Sequence, residues 1–235
     1  MSKKFRKLIG LLLSLALVLG MVGCSTSGEG EASGEGDNTI AFIPPTMVSS
    51  FYEQTITGAK DKAKELGYTV STTAPQKEDD YEGLLKCVED AITKGAKAIA
   101  LCTTDDKTMA IAVEKANAAN IPVVLFNTLS EVEGVGVYSY VGYDQRKAGA
   151  SVAEYLGTEY KDTKFKVGIL EGLPGVFTEN REGGFLDEVD KYSNIEVVAK
   201  QAANWEREKG MNVATNMYQA NNQINMFYGL SDEMA

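Results

Sequence analysis

Asn127 closes the run Ile121 to Asn127, IPVVLFN, and is the residue whose placement most clearly suggests a chemical role. The run is apolar without alternation, as expected of a strand covered on both faces, and in open α/β sheets ligands sit in the crevice beyond the strands' carboxyl ends. An amide at that point can donate and accept hydrogen bonds at once. Other polar or aromatic side chains follow predicted strands in the same way: Ser49, Phe51 and Tyr52, then Asp105, Arg181, Trp205 and Ser231. They are groups that grip a molecule, and they do not form a reactive set. The chain contains no histidine, which removes imidazole catalysis and the commonest zinc ligand. No phosphate loop, metal cluster or nucleophile with a partner base is evident, and the segment GLPG fits neither nucleotide-binding spacing. The chain is therefore expected to be no enzyme, and to need no cofactor and no metal.

Most of these residues also have a plainer reading. Thr103-Thr104-Asp105-Asp106 reads first as a helix N-cap, with Asp105 lining a site only second. Phe51 and Tyr52 could be the apolar entry to a helix. Arg181 on the first turn of a helix is electrostatically disfavoured as a mere surface residue, because the macrodipole there prefers acids. Trp205 could belong to a core, although Asn204, Glu206 and Arg207 around it argue against a buried loop. Ser231 could cap a helix begun by Asp232.

The elements that must carry these residues alternate strand and helix at the spacing of βα units. Strands are expected at Thr39–Ile43, Tyr68–Thr72, Ala96–Leu101, Ile121–Asn127, Tyr138–Val141, Lys166–Leu170, Ile195–Gln201 and Ile224–Leu230. Helices are expected at Phe51–Leu66, at the stripe of Leu84, Cys87, Val88, Ala91 and Ile92, at Thr108–Ala119, from Asp144 or Gln145 onward, at Thr178–Lys191 and at Glu206–Ala220. The result is an α/β protein built on parallel sheets. Cys87, on an apolar helix face, and Cys102, within a strand, read as small buried hydrophobes.

Residues 1–23 read as an export signal, with Lys3, Lys4, Arg6 and Lys7 before an uncharged run too short and Gly-interrupted to span a membrane comfortably. It ends Met21-Val22-Gly23-Cys24, which resembles a bacterial lipobox and implies acylation of Cys24. Residues 24–38 then form a Gly/Ser-rich tether, whose coil reaches about 20 Å. The formal net charge is −10, so nucleic acid is an improbable partner, since phosphate binding needs clustered Lys and Arg.

In order, GAKDKAKELGY, KAIALCTTD, AVEKANAANIPVVLFN, YVGYD and FYGLSDEMA resemble landmarks of the type I periplasmic binding proteins, in the branch of ribose- and galactose/glucose-binding proteins. The resemblance implies two similar lobes, each a parallel sheet flanked by helices, at residues 39–143 and 144–235, with a hinge crossing near Tyr143 and Asp144. It implies an extracytoplasmic lipoprotein that holds a monosaccharide between the lobes for the permease of an ABC importer, attached to the membrane through Cys24. An alternative is a sensory protein that presents a sugar or autoinducer to a membrane receptor. A regulator's effector domain shares the fold but would carry a DNA-binding segment where this chain has a signal.

The implied ligand residues are Ser49, Phe51, Tyr52, Asp105, Asn127, Arg181, Trp205 and Ser231, the last in place of a family Asn. Phe51 and Trp205 would cover two faces of a sugar ring while Asn127 and Arg181 hold its hydroxyls. Thr128 follows Asn127 where the ribose type carries Arg, and the FN pair is closer to the galactose/glucose type. The resemblance also implies further chain beyond Ala235, so that the second lobe is incomplete here. Apolar sheet surface at Ile224, Met226 and Tyr228 would then be exposed.

Overall fold

A computed structural model describes residues 38–235. The export signal, Cys24 and nearly all of the tether lie outside the described residues.

The first lobe is one parallel sheet in the order β2-β1-β3-β4-β5. Strand β1 spans Thr39–Ile43, β2 Thr69–Thr72, β3 Ala98–Leu101, β4 Val123–Phe126 and β5 Ser139–Val141. Helices α1 (Ser50–Glu65), α2 (Tyr81–Thr93) and α3 (Asp106–Ala118) connect them. Ile43, Leu101 and Leu125 are brought side by side by the register and are all fully buried. On one face they join Leu84, Val88, Met109 and Val113 in a single core. Burying side chains of this size contributes about 1.5–3 kcal/mol each. Helices α2 and α3 start where the sequence supplies acceptors for orphan N–H groups. Asp80 accepts from Gly83 N (2.9 Å), and Asp105 from Thr108 N (2.7 Å).

The second lobe is a three-stranded parallel sheet, β7-β6-β8, with β6 at Phe165–Glu171, β7 at Ile195–Ala202 and β8 at Met226–Gly229. Helix α4 (Gln145–Glu159) packs on α5 (Val176–Val189), and α6 (Arg207–Ala220) covers β6 and β7. Asp144 caps α4 by accepting from Lys147 N (3.0 Å). The core centres on Phe185, fully buried and stacked on Tyr228 with ring centroids 4.4 Å apart.

Several expectations are corrected. The run at Ile121–Asn127 is a strand only at Val123–Phe126, because Asn120 has φ 59° and Ile121 N still bonds Ala116 O at the end of α3. Cys102 lies one residue past β3, although its N–H still reaches Ile43 O (3.0 Å) and its side chain is fully buried. Helix α5 starts at Val176, not Thr178, so Arg181 is in its second turn and the macrodipole argument for that residue falls away. The start is set by Gly175, at φ 145°, where a Cβ would collide with the Thr104 carbonyl of the other lobe. Ile224 is buried and Tyr228 lies against Phe185, so they do not form an exposed apolar surface. Residues 232–234 form a turn, with Met234 N on Ser231 O (3.2 Å).

Candidate functional site

Between the lobes lies a cavity of about 970 Å³, lined by the carboxyl ends of the strands and the helix starts that follow them. Seven of the eight residues expected at a site border it: Ser49, Phe51, Tyr52, Asn127, Arg181, Trp205 and Ser231. Asp105 does not. Its carboxylate is taken up by Thr108 N (2.7 Å) and Thr108 Oγ1 (2.6 Å), so its plainer role as a cap is the one the fold uses.

Asn127 reaches the cavity because it leaves the strand in the left-handed region, φ 61°, which Asn tolerates better than most residues. Its backbone stays anchored, with N on Val141 O (2.8 Å) and O accepting from Gln145 Nε2 (2.6 Å). Its Nδ2 donates to Tyr52 Oη (3.4 Å), and Oδ1 has no partner. Tyr52 is buried, 6 % exposed, beside Cys102 Sγ (3.6 Å), and forms the floor of the cavity, whereas Phe51 is 42 % exposed at its side. Burial pushes the Cys102 thiol up to about 12, which makes it inert at neutral pH.

Trp205 follows β7 with φ 66°, directly after Asn204 at φ 57°. Two consecutive left-handed residues, one of them bulky, cost on the order of 1–3 kcal/mol each and persist only where the surroundings hold them. Here Trp205 N donates to the buried Met234 Sδ (3.2 Å), and the indole lies on Gly172, where any Cβ would strike it. The ring is half-buried and its Nε1 has no partner. Ser231 Oγ is buried and unpartnered as well.

Arg181 stands among three rings, 5.3 Å from Trp205, 5.7 Å from Phe177 and 5.8 Å from Tyr143. Its Nε donates to Gln145 Oε1 and its Nη1 to Leu230 O (2.7 Å), so part of the guanidinium fork is already occupied by protein. The chain Asn127–Gln145–Arg181–Leu230 ties the two lobes through one buried amide. Gln145 does not emerge from sequence reasoning, and the only signal for it is its position just past the expected hinge. Glu78 and Glu233 are missed too. Glu78 lies in the acidic run QKEDD, where nothing in the pattern distinguishes it from its neighbours.

Burial, then the nearby Glu233 charge and that of Asp79, push the Glu78 carboxyl from 4.5 to about 7, with Arg181 acting in the opposite sense. A carboxyl raised in the folded protein favours the protonated form there. Stability with respect to this group is therefore full below about pH 4.5 and falls as pH rises through that value to about 7. The loss across that window is expected to be about 3–4 kcal/mol. Melting curves of Glu78→Gln should lack this component, and an unchanged pH profile would remove Glu78 as its source.

The arrangement can hold a neutral, polyhydroxylated molecule. Its lining residues hold a buried lone acceptor (Asn127 Oδ1), a buried lone donor (Trp205 Nε1), a buried hydroxyl (Ser231 Oγ) and aromatic faces, and among the described residues no group of three metal-ligating side chains accompanies them. A two-lobed parallel α/β fold with such a cleft defines a solute-binding class, and the comparisons specify it further. Residues 40–235 match the model of the periplasmic binding protein domain, and the chain belongs to that family. It is 31 % identical to the ribose import binding protein of Bacillus subtilis, over 98 % of this chain and 75 % of that one. It is 30 % identical to the D-apiose import binding protein of Actinobacillus succinogenes, over 83 % of this chain and 62 % of that one. Among solved structures, an ABC transporter periplasmic solute binding protein from Actinobacillus succinogenes with bound D-allose superposes with TM-score 0.76 and 34 % identity, covering 84 % of this chain and 70 % of that one.

Proposed function

We propose that this protein captures a monosaccharide between its two lobes and delivers it to the permease of an ABC importer, with a hinge near Tyr143 and Asp144. The observation that carries this reading is that three residues bordering the cavity each hold a buried polar atom without a partner: Asn127 Oδ1, Trp205 Nε1 and Ser231 Oγ. Buried polar groups left unpaired cost about 1–3 kcal/mol each, and a sugar's hydroxyls, each both donor and acceptor, can satisfy all three. The relatives support the same class: two are import binding proteins for ribose and D-apiose, and the solved structure holds D-allose. Phe51 and Trp205 supply the apolar faces and the unspent N–H groups of Arg181 a charged rim. Acylation of Cys24 and residence on the extracytoplasmic face of the membrane belong to the same proposal, and rest on the Met21-Val22-Gly23-Cys24 sequence.

Titration calorimetry of the full-length protein against D-ribose, D-allose, D-apiose and D-arabinose tests the capture. Micromolar or tighter binding of at least one is expected; no heat with any would overturn the monosaccharide reading. Mass analysis of the mature N-terminus tests the anchor, which an unmodified terminus would sink.

A further inference from the structure

Helix α1 begins at the cleft without a cap of its own. Its N-cap residue, Ser49, makes no side-chain bond back into the helix. The missing acceptor comes from the other lobe. Glu233 Oε1, in the turn after β8, accepts from Ser49 Oγ (3.0 Å), Ser50 N (2.9 Å) and Ser50 Oγ (2.9 Å). A carboxylate at the positive end of a 16-residue helix combines charge-assisted hydrogen bonds with a favourable macrodipole interaction. It is a helix cap supplied in trans, across the cleft.

We infer that Glu233 is the latch of the cleft: by capping α1 from the opposite lobe, its carboxylate holds the lobes together and sets how readily they part. It is a positioning residue, and the inference rests on the reading that a ligand is held between lobes that move. The electrostatics agree with the geometry. Burial alone would raise the Glu233 carboxyl, but the bonds from Ser50 and Ser49 outweigh it and hold its pKa below the usual value, so the latch is ionised at neutral pH. Two other hydrogen bonds from the second lobe to the main chain of the first are neutral, Val176 N on Thr104 O (3.0 Å) and Gln145 Nε2 on Asn127 O (2.6 Å). Ligand therefore does not have to form the closed geometry unaided, and affinity reflects the latch as well as the groups that touch the sugar.

The test needs no ligand, which keeps it separate from the monosaccharide reading. Nitroxides attached through ketone-bearing residues at the exposed positions Lys60 on α1 and Asn216 on α6 report the distance between the lobes by pulsed electron resonance. The wild-type chain should show a population at short distance. In Glu233→Ala, and to a lesser degree in the double variant Ser49→Ala/Ser50→Ala, which keeps the Ser50 N–H, the closed-to-open ratio should fall about tenfold. The serine variant, altered on the first lobe alone, decides the matter if Glu233→Ala fails to fold. A wild-type distribution without a short-distance population would overturn the inference, as would variant distributions that superimpose on the wild type. If no sugar in the panel binds while the variants still open, the latch stands and the monosaccharide reading falls.

Discussion

Trp205→Ala is expected to weaken sugar binding by at least tenfold, about 1.4 kcal/mol, and to destabilise the ligand-free protein as well. The sequence sets two roles against each other, a ring exposed for stacking or a ring in the core, and the structure gives the indole both. It borders the cavity, and it also packs against the second-lobe core and the aromatic cluster of Phe42, Tyr52, Phe126 and Phe177. Truncating a fully buried Trp costs about 3–5 kcal/mol. Half-burial brings the expected loss to about 2 kcal/mol, and the strain at φ 66° remains because alanine keeps the Cβ. Trp205→Phe separates the contributions, because it keeps an aromatic face and removes the unpartnered Nε1–H. Calorimetric affinity should then fall between wild type and alanine. If Trp205→Ala lowers the melting temperature and leaves affinity intact, the ring is a structural residue and the stacking role is wrong.

The second large effect is expected at a residue that does not itself border the cavity. Gly149 of α4 lies against the main chain of α5 so closely that a Cβ would overlap the Arg181 carbonyl oxygen, and Gly184 of α5 meets the Arg146 carbonyl in the same way. The two helices thus touch backbone to backbone, with Ala153, Leu156 and Phe185 packed alongside. Gly149→Ala gains about 1 kcal/mol of helix propensity. It must also push apart two backbones that have no flexible side chain to give way, at the upper end of the 1–3 kcal/mol typical of overpacking or beyond it. A net loss of about 2 kcal/mol is expected. Because Arg181 leaves α5 at the point of contact, sugar affinity should drop with it. Gly58→Ala on the open face of α1, where a Cβ meets nothing within 4 Å, is the control and should stabilise the protein slightly. Equal melting temperatures for the two variants would show that α4 can shift at no cost.

Local chemistry determined much of this fold in the sequence itself. Unbroken apolar runs such as VVLF define strands covered on both faces, and Asp80, Asp105 and Asp144 precede helices whose first N–H groups they cap. These are short-range effects, so spacing and residue type suffice, and the placement of Asn127, Arg181 and Trp205 after strands could be read from the same pattern. Tertiary structure alone decided which of those residues meet. Asp105 is consumed by its own helix and Tyr52 goes beneath the cavity, while Arg181 spends part of its fork on Gln145 and Leu230. Glu78 and Glu233 resemble many other surface acids in the sequence. They acquire a role only because two separately folded lobes bring them together, one carboxyl raised by burial and a neighbouring charge, the other ionised by the end of a helix that begins 183 residues earlier in the chain. Contacts made across such a separation leave no periodicity to read, and they are the contacts through which the cleft works.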